Sequence, residues 1–141
     1  AIYNDAHVET VLYPNVLVTL EALKSQGHTL GLCTNKPAKP TEFVLETFGL
    51  VRFFDVVVAG DTLPQRKPDP APLLHALNAL EAKRAVYVGD SEVDAETAHR
   101  AGLPFALFTE GYRKSPVDTL TFSRKFNDFR VLPAIVTELL A

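Results

Sequence analysis

Short apolar runs alternate with segments of helical periodicity along nearly the whole chain. Thr29–Cys33, Val56–Ala59, Ala85–Val88 and Phe105–Phe108 are the runs. Their residues are apolar on both faces, which suits strands covered on both sides, as in parallel sheets. Between them lie segments with apolar residues three and four apart: Val16, Leu20 and Leu23 within Asn15–Gln26; Val44 and Phe48 after Pro40; Leu73, Ala76, Leu77 and Leu80 after Asp69-Pro70. Gly27, Gly49 and Gly102 stand where such helices would stop. A helix from Glu92 and a last one carrying Leu132, Ile135, Val136 and Leu139 complete the set, with an irregular stretch over 109–121 and a short apolar piece around Phe126 between them. Strand–helix–strand repetition requires right-handed crossovers and predicts an α/β fold, a Rossmann-like three-layer parallel sheet.

Parallelism has a functional consequence. All strands end on the same edge, where ligands of open α/β sheets bind. Each run ends in polar residues: Thr34-Asn35, Gly60-Asp61, Asp90 and Thr109-Glu110. The candidate site is therefore assembled from distant parts of the chain.

The most informative of these ends is Ala85 to Asp94. Asp90 closes a strand, Ser91 reads as a helix N-cap, and Asp94 stands where it completes a capping box. Two hard oxygen donors at a sheet edge suit Mg²⁺, while acidic residues in a first helical turn are favourable without any metal.

Size and charge narrow the classes. The 141 residues suit one domain, and the net charge of −3, without a basic patch, argues against a nucleic-acid partner. A single cysteine, Cys33, excludes an intrachain disulfide and fits a reducing, cytoplasmic setting. No apolar run is long enough to span a membrane.

Three motifs together, Thr34-Asn35-Lys36, Lys67-Pro68-Asp69-Pro70 and Gly89-Asp90-Ser91-Glu92-Val93-Asp94, resemble the haloacid dehalogenase superfamily of phosphotransferases. Within it the chain is similar to the phosphoglycolate phosphatases, through Gly60-Asp61-Thr62-Leu63-Pro64-Gln65-Arg66-Lys67, Ala101-Gly102-Leu103-Pro104, Gly111-Tyr112-Arg113 and Phe126-Asn127-Asp128-Phe129. The resemblance implies a Mg²⁺-dependent phosphatase working through an aspartyl-phosphate. It implies that Thr34 and the Asn35 backbone N–H, with Lys36 beside them, bind the phosphoryl group of a small phosphorylated substrate. Lys67 would neutralise charge, Asp90 would ligate Mg²⁺, and Asp94 would hold a metal-bound water. Tyr112 and Arg113 read as loop anchors that could also meet a substrate carboxylate. Asp61 reads as a turn or cap residue, and His75 and His99 as surface or packing residues.

The superfamily's first motif, Asp-x-Asp-Gly-Thr, does not occur in the chain; Asn4-Asp5-Ala6-His7 lacks the preceding strand, the second carboxylate and the Gly-Thr. Ile2, Val8, Val11 and Leu12 suggest a helix ending before Pro14, which in this family would be the end of a helical cap. The expected division is thus 1–13 as the end of a cap and linker, and 14–141 as the phosphatase core without its first strand. The chain reads as part of a longer protein, inactive alone, with an amino-terminal segment or another chain filling the sheet. Other small substrates (a sugar phosphate, nucleotide or pyrophosphate) and a non-catalytic binding module are the alternative readings.

Overall fold

The computed structural model describes residues 13–111 and 113–141. The expected helix and cap segment over 1–12, Asp5 and Tyr112 lie outside the described residues.

The order of elements is α1 (Val16–Ser25), β1 (Gly31–Cys33), α2 (Ala38–Thr47), β2 (Val56–Val58), α3 (Ala71–Ala79), β3 (Tyr87–Gly89), α4 (Glu92–Ala101), β4 (Phe105–Phe108), β5 (Arg124–Phe126) and α5 (Leu132–Leu140), with short 3-10 turns at Val51–Phe53, Val117–Thr119 and Phe129–Val131. All strand pairs are parallel, as the alternation requires. β1 and β2 are shorter than the apolar runs that encode them, β3 runs one residue past its run to Gly89, and β4 coincides with Phe105–Phe108. Helix α2 begins two residues before Pro40, because Pro37 takes the N-cap position and Asp61 accepts from the Ala38 N–H at 2.9 Å.

Period-two alternation sorts the core onto two faces. Leu32, Val88, Ala106 and Phe108 pack with α1, α5 and Phe129 on one side. Cys33, Tyr87, Phe105 and Leu107 pack with Leu73 of α3 and with Ala95 and Ala98 of α4 on the other. That is a three-layer arrangement with both sheet faces covered.

Among the described residues the strands form two sheets, β1-β2 and β3-β4-β5, and β1 does not pair with β3. A cavity of about 340 Å³ lies between them, lined by Leu30, Gly31 and Cys33 on one side and Val86, Tyr87 and Val88 on the other. The alternation of backbone groups explains why it is an edge-lined slot. The Leu30 carbonyl and the Thr34 N–H both serve the β2 side, through Asp55 and Val58, so the peptide groups of Cys33 point to the opposite edge, toward β3.

Candidate active site

The carboxyl ends of β1 and β3 carry the site, and a series of hydrogen bonds joins its parts. Asn35, just after β1, grips the backbone of Lys67 with both ends of its amide: Oδ1 accepts from the Lys67 N–H at 2.9 Å, and Nδ2 donates to the Lys67 carbonyl at 3.1 Å. The loop that bears Lys67, whose peptide bond to Pro68 is cis, is thereby tied to the first strand. Thr34 is buried, and its hydroxyl accepts from the Lys36 N–H at 3.1 Å, which folds the Thr34–Lys36 turn onto itself.

The Lys67 side chain runs inward to Asp94. Nζ stands 2.7 Å from Asp94 Oδ1, with side-chain exposures of only 1% and 6%. Burial pushes the Asp94 carboxyl up, but the Lys67 ammonium and the Asp90 N–H together hold it below the usual range. Oδ2 of Asp94 accepts from that N–H at 3.2 Å, so Asp94 also braces the turn that presents Asp90. The expected capping box is half formed: Ser91 Oγ accepts from the Asp94 N–H at 3.2 Å, but the Asp94 carboxylate serves Asp90 and Lys67. Gly89 makes this possible, since a Cβ there would sit 2.5 Å from the Asp94 carboxylate.

Asp90 is itself buried at the end of β3. Tyr13 donates its hydroxyl to Asp90 Oδ2 at 3.2 Å, and its ring is held against Phe108 and Phe129. Gly111, in the loop after β4, passes so close that a Cβ would collide with the Asp90 carboxylate. Among the described residues no group of three or more His, Cys, Asp or Glu side chains converges on one point. The donor set still fits Mg²⁺, which takes one or two carboxylates and fills its remaining positions with water and phosphate oxygens. Both Asp94 oxygens accept hydrogen bonds, from Lys67 and from the Asp90 N–H, and Asp90 Oδ2 accepts from Tyr13.

Thr34-Asn35, Lys67, Asp90 and Asp94 are thus gathered at the carboxyl ends of β1 and β3. Arg113 and Glu92 have structural work. Arg113 donates through Nη1 to the Thr109 carbonyl at 2.8 Å and anchors its loop. Glu92 accepts from the Lys114 N–H at 3.3 Å. His75 and His99 are exposed, and Cys33 is buried.

The motif pattern also matches known proteins. The family model for haloacid dehalogenase-like hydrolases matches residues 1–108. The chain belongs to that family. Within it, the chain is 51% identical over 132 residues to a phosphoglycolate phosphatase of Cereibacter sphaeroides, covering 94% of this chain and 61% of the relative. A phosphoglycolate phosphatase of Rhodobacter capsulatus is 47% identical over 125 residues, covering 89% and 57%. A crystal structure of a predicted phosphoglycolate phosphatase from Haemophilus somnus superposes with a TM-score of 0.84 at 38% identity, covering 89% of this chain and 57% of that one. The chain therefore spans about three fifths of the length of these relatives.

Two residues of the site were not singled out from sequence. Tyr13 and Tyr87 both place a hydroxyl on the acidic cluster. For Tyr87 a signal existed: it is the only residue of Ala85–Val88 with a polar tip, and a buried phenol needs a partner. For Tyr13 there was none, because its contact with Asp90 spans 77 positions.

Proposed function

We propose that the chain supplies the phosphate-positioning and metal-binding part of a Mg²⁺-dependent phosphatase that converts 2-phosphoglycolate to glycolate and phosphate. One observation carries this reading: the Lys67–Asp94 pair is buried beside the Asp90 turn at the carboxyl edge of the sheet. Burying two charges is costly, and structural stability alone is a poor reason to keep them. The relatives' names support the substrate.

In this reading Thr34 donates its hydroxyl hydrogen, and Asn35 its backbone N–H, to phosphoryl oxygens. Lys67 neutralises charge on the phosphoryl group, held in place by Asp94. A carboxylate attacks phosphorus and the glycolate oxygen leaves; water then cleaves the aspartyl-phosphate, returning the carboxylate and releasing phosphate. Asp90 would hold Mg²⁺ directly and Asp94 through a bound water; when bound, the ion neutralises charge developing on the phosphoryl oxygens. The attacking carboxylate comes from an extended apolar strand, of a longer form of this polypeptide or of another chain, entering the slot between β1 and β3. The buried thiol of Cys33 suits a reducing, cytoplasmic setting.

The experiment is a phosphate-ester panel with Mg²⁺, run on the 141-residue chain and on a form extended at its amino terminus to the relatives' length. We expect turnover only from the extended form, with 2-phosphoglycolate preferred over sugar phosphates, nucleotides and pyrophosphate. Turnover by the short chain would overturn the division of labour. Preference for another ester would overturn the substrate. An inactive extended form would favour a binding module.

A further inference from the structure

Tyr87 lies on β3 and is almost wholly buried, as are Lys67 and Asp94. Its hydroxyl has three neighbours within hydrogen-bond distance. Lys67 Nζ donates to it at 3.1 Å, Asp94 Oδ1 is at 3.2 Å, and the Cys33 carbonyl is at 3.3 Å. A phenol has one hydrogen and accepts through its oxygen, so it accepts from Lys67 while donating to Cys33 or Asp94. The Cys33 carbonyl belongs to the β1 edge that faces β3. The hydroxyl therefore reaches across the slot and ties the ammonium to both sheets at once.

Aliphatic packing does not explain this group. A Phe would fill the same volume and leave no polar atom to satisfy in the core. The ammonium already has a charged partner in Asp94, which attracts it without fixing its direction. A second acceptor, on strand β3, narrows the directions in which the ammonium can point.

We propose that the Tyr87 hydroxyl is a positioning group for Lys67, orienting its ammonium toward the phosphoryl group bound at the edge of β1 and β3. The proposal rests on the reading of this edge as a phosphate site. It acts through Lys67, so its effect must vanish when Lys67 is removed.

The test uses the full chain and inorganic phosphate as the probe, with four proteins: the parent, Tyr87→Phe, Lys67→Met and the double variant. In the parent background Tyr87→Phe should weaken phosphate binding by about tenfold, the scale of one hydrogen bond to a charged group. In the Lys67→Met background it should change binding by less than about twofold. Equal losses in both backgrounds would mean that Tyr87 acts on the fold and not on Lys67, and would overturn the proposal. Two NMR readings need no phosphate. The slowly exchanging ammonium signal of Lys67 should broaden in Tyr87→Phe while the amide spectrum is kept; an unchanged signal overturns the proposal. In the parent, the Tyr87 hydroxyl proton should show a cross-peak to the Lys67 ε-methylene, and its absence would sink the contact even if the variant did not fold. A parent chain that fails to bind phosphate would end the reading of the site, while the ammonium signal still decided the role of Tyr87.

Discussion

Lys67→Met offers a direct measure of the buried pair. The substitution keeps most of the side-chain volume and removes the charge 2.7 Å from Asp94, at a place where the two side chains are 1% and 6% exposed. Removing one member of such a pair costs about 3–5 kcal/mol, because the other charge is left uncompensated. Asp94 would keep the Asp90 N–H and the Tyr87 hydroxyl, which places the loss near the lower end, about 3 kcal/mol. For a chain of this length that is a fall of roughly 10 °C in Tm. Lys67→Met/Asp94→Asn should recover a large part, since the charge is gone and the amide oxygen can still accept from Asp90. The two single losses should therefore exceed the double loss by more than about 1 kcal/mol. The pH dependence gives a second signature. In the parent the lowered Asp94 carboxyl contributes stability above its unfolded pKa, and this is lost as pH falls through the folded value. Without Lys67, burial dominates and raises the carboxyl, so the variant's deficit should shrink on acidification. Urea unfolding at neutral and acid pH measures all of this. A Lys67→Met loss below about 1 kcal/mol, or additive single losses, would refute the argument that the pair is energetically coupled.

Other outcomes follow from the same geometry. Asp90→Asn should abolish Mg²⁺ binding by calorimetry and cost the extended form at least about 100-fold in turnover, with the melting temperature little changed. Gly111→Ala forces a Cβ into the Asp90 carboxylate, so thermal unfolding should show a loss of about 1–3 kcal/mol. Arg130 lowers the Asp128 carboxyl from 3.8 to about 2, so its contribution is present above pH 3.8 and is lost as pH falls toward about 2. Asp128→Asn should flatten the acid-unfolding curve across that window, with its deficit largest at neutral pH and fading at the acid end.

The strand ends were legible in the residues because they depend on local order. An apolar run can be buried on both faces only as a covered strand, and a polar residue after it marks its end. Thr34, Asn35 and Asp90 were found that way, and Asp94 through its capping-box spacing from Ser91. Lys67 was legible only through its motif, since a lysine before a proline ordinarily marks a solvated loop, and nothing nearby in the chain announces its burial. The half-formed capping box shows the limit. Local spacing predicts that Asp94 closes onto its own helix start, but a buried ammonium from 27 positions away is a stronger partner than one more N–H.

By itself, the order of apolar runs, caps and glycines determined an α/β chain with parallel strands and a polar edge, because each depends on neighbours a few residues apart. Tertiary structure alone decided that Asn35 holds the backbone of Lys67, that Tyr13 and Tyr87 add their hydroxyls to the acidic cluster, and that β1 and β3 stand apart around a slot. Those outcomes turn on which distant groups meet in a low-dielectric interior, where each buried charge or hydroxyl must find a partner wherever the chain places one.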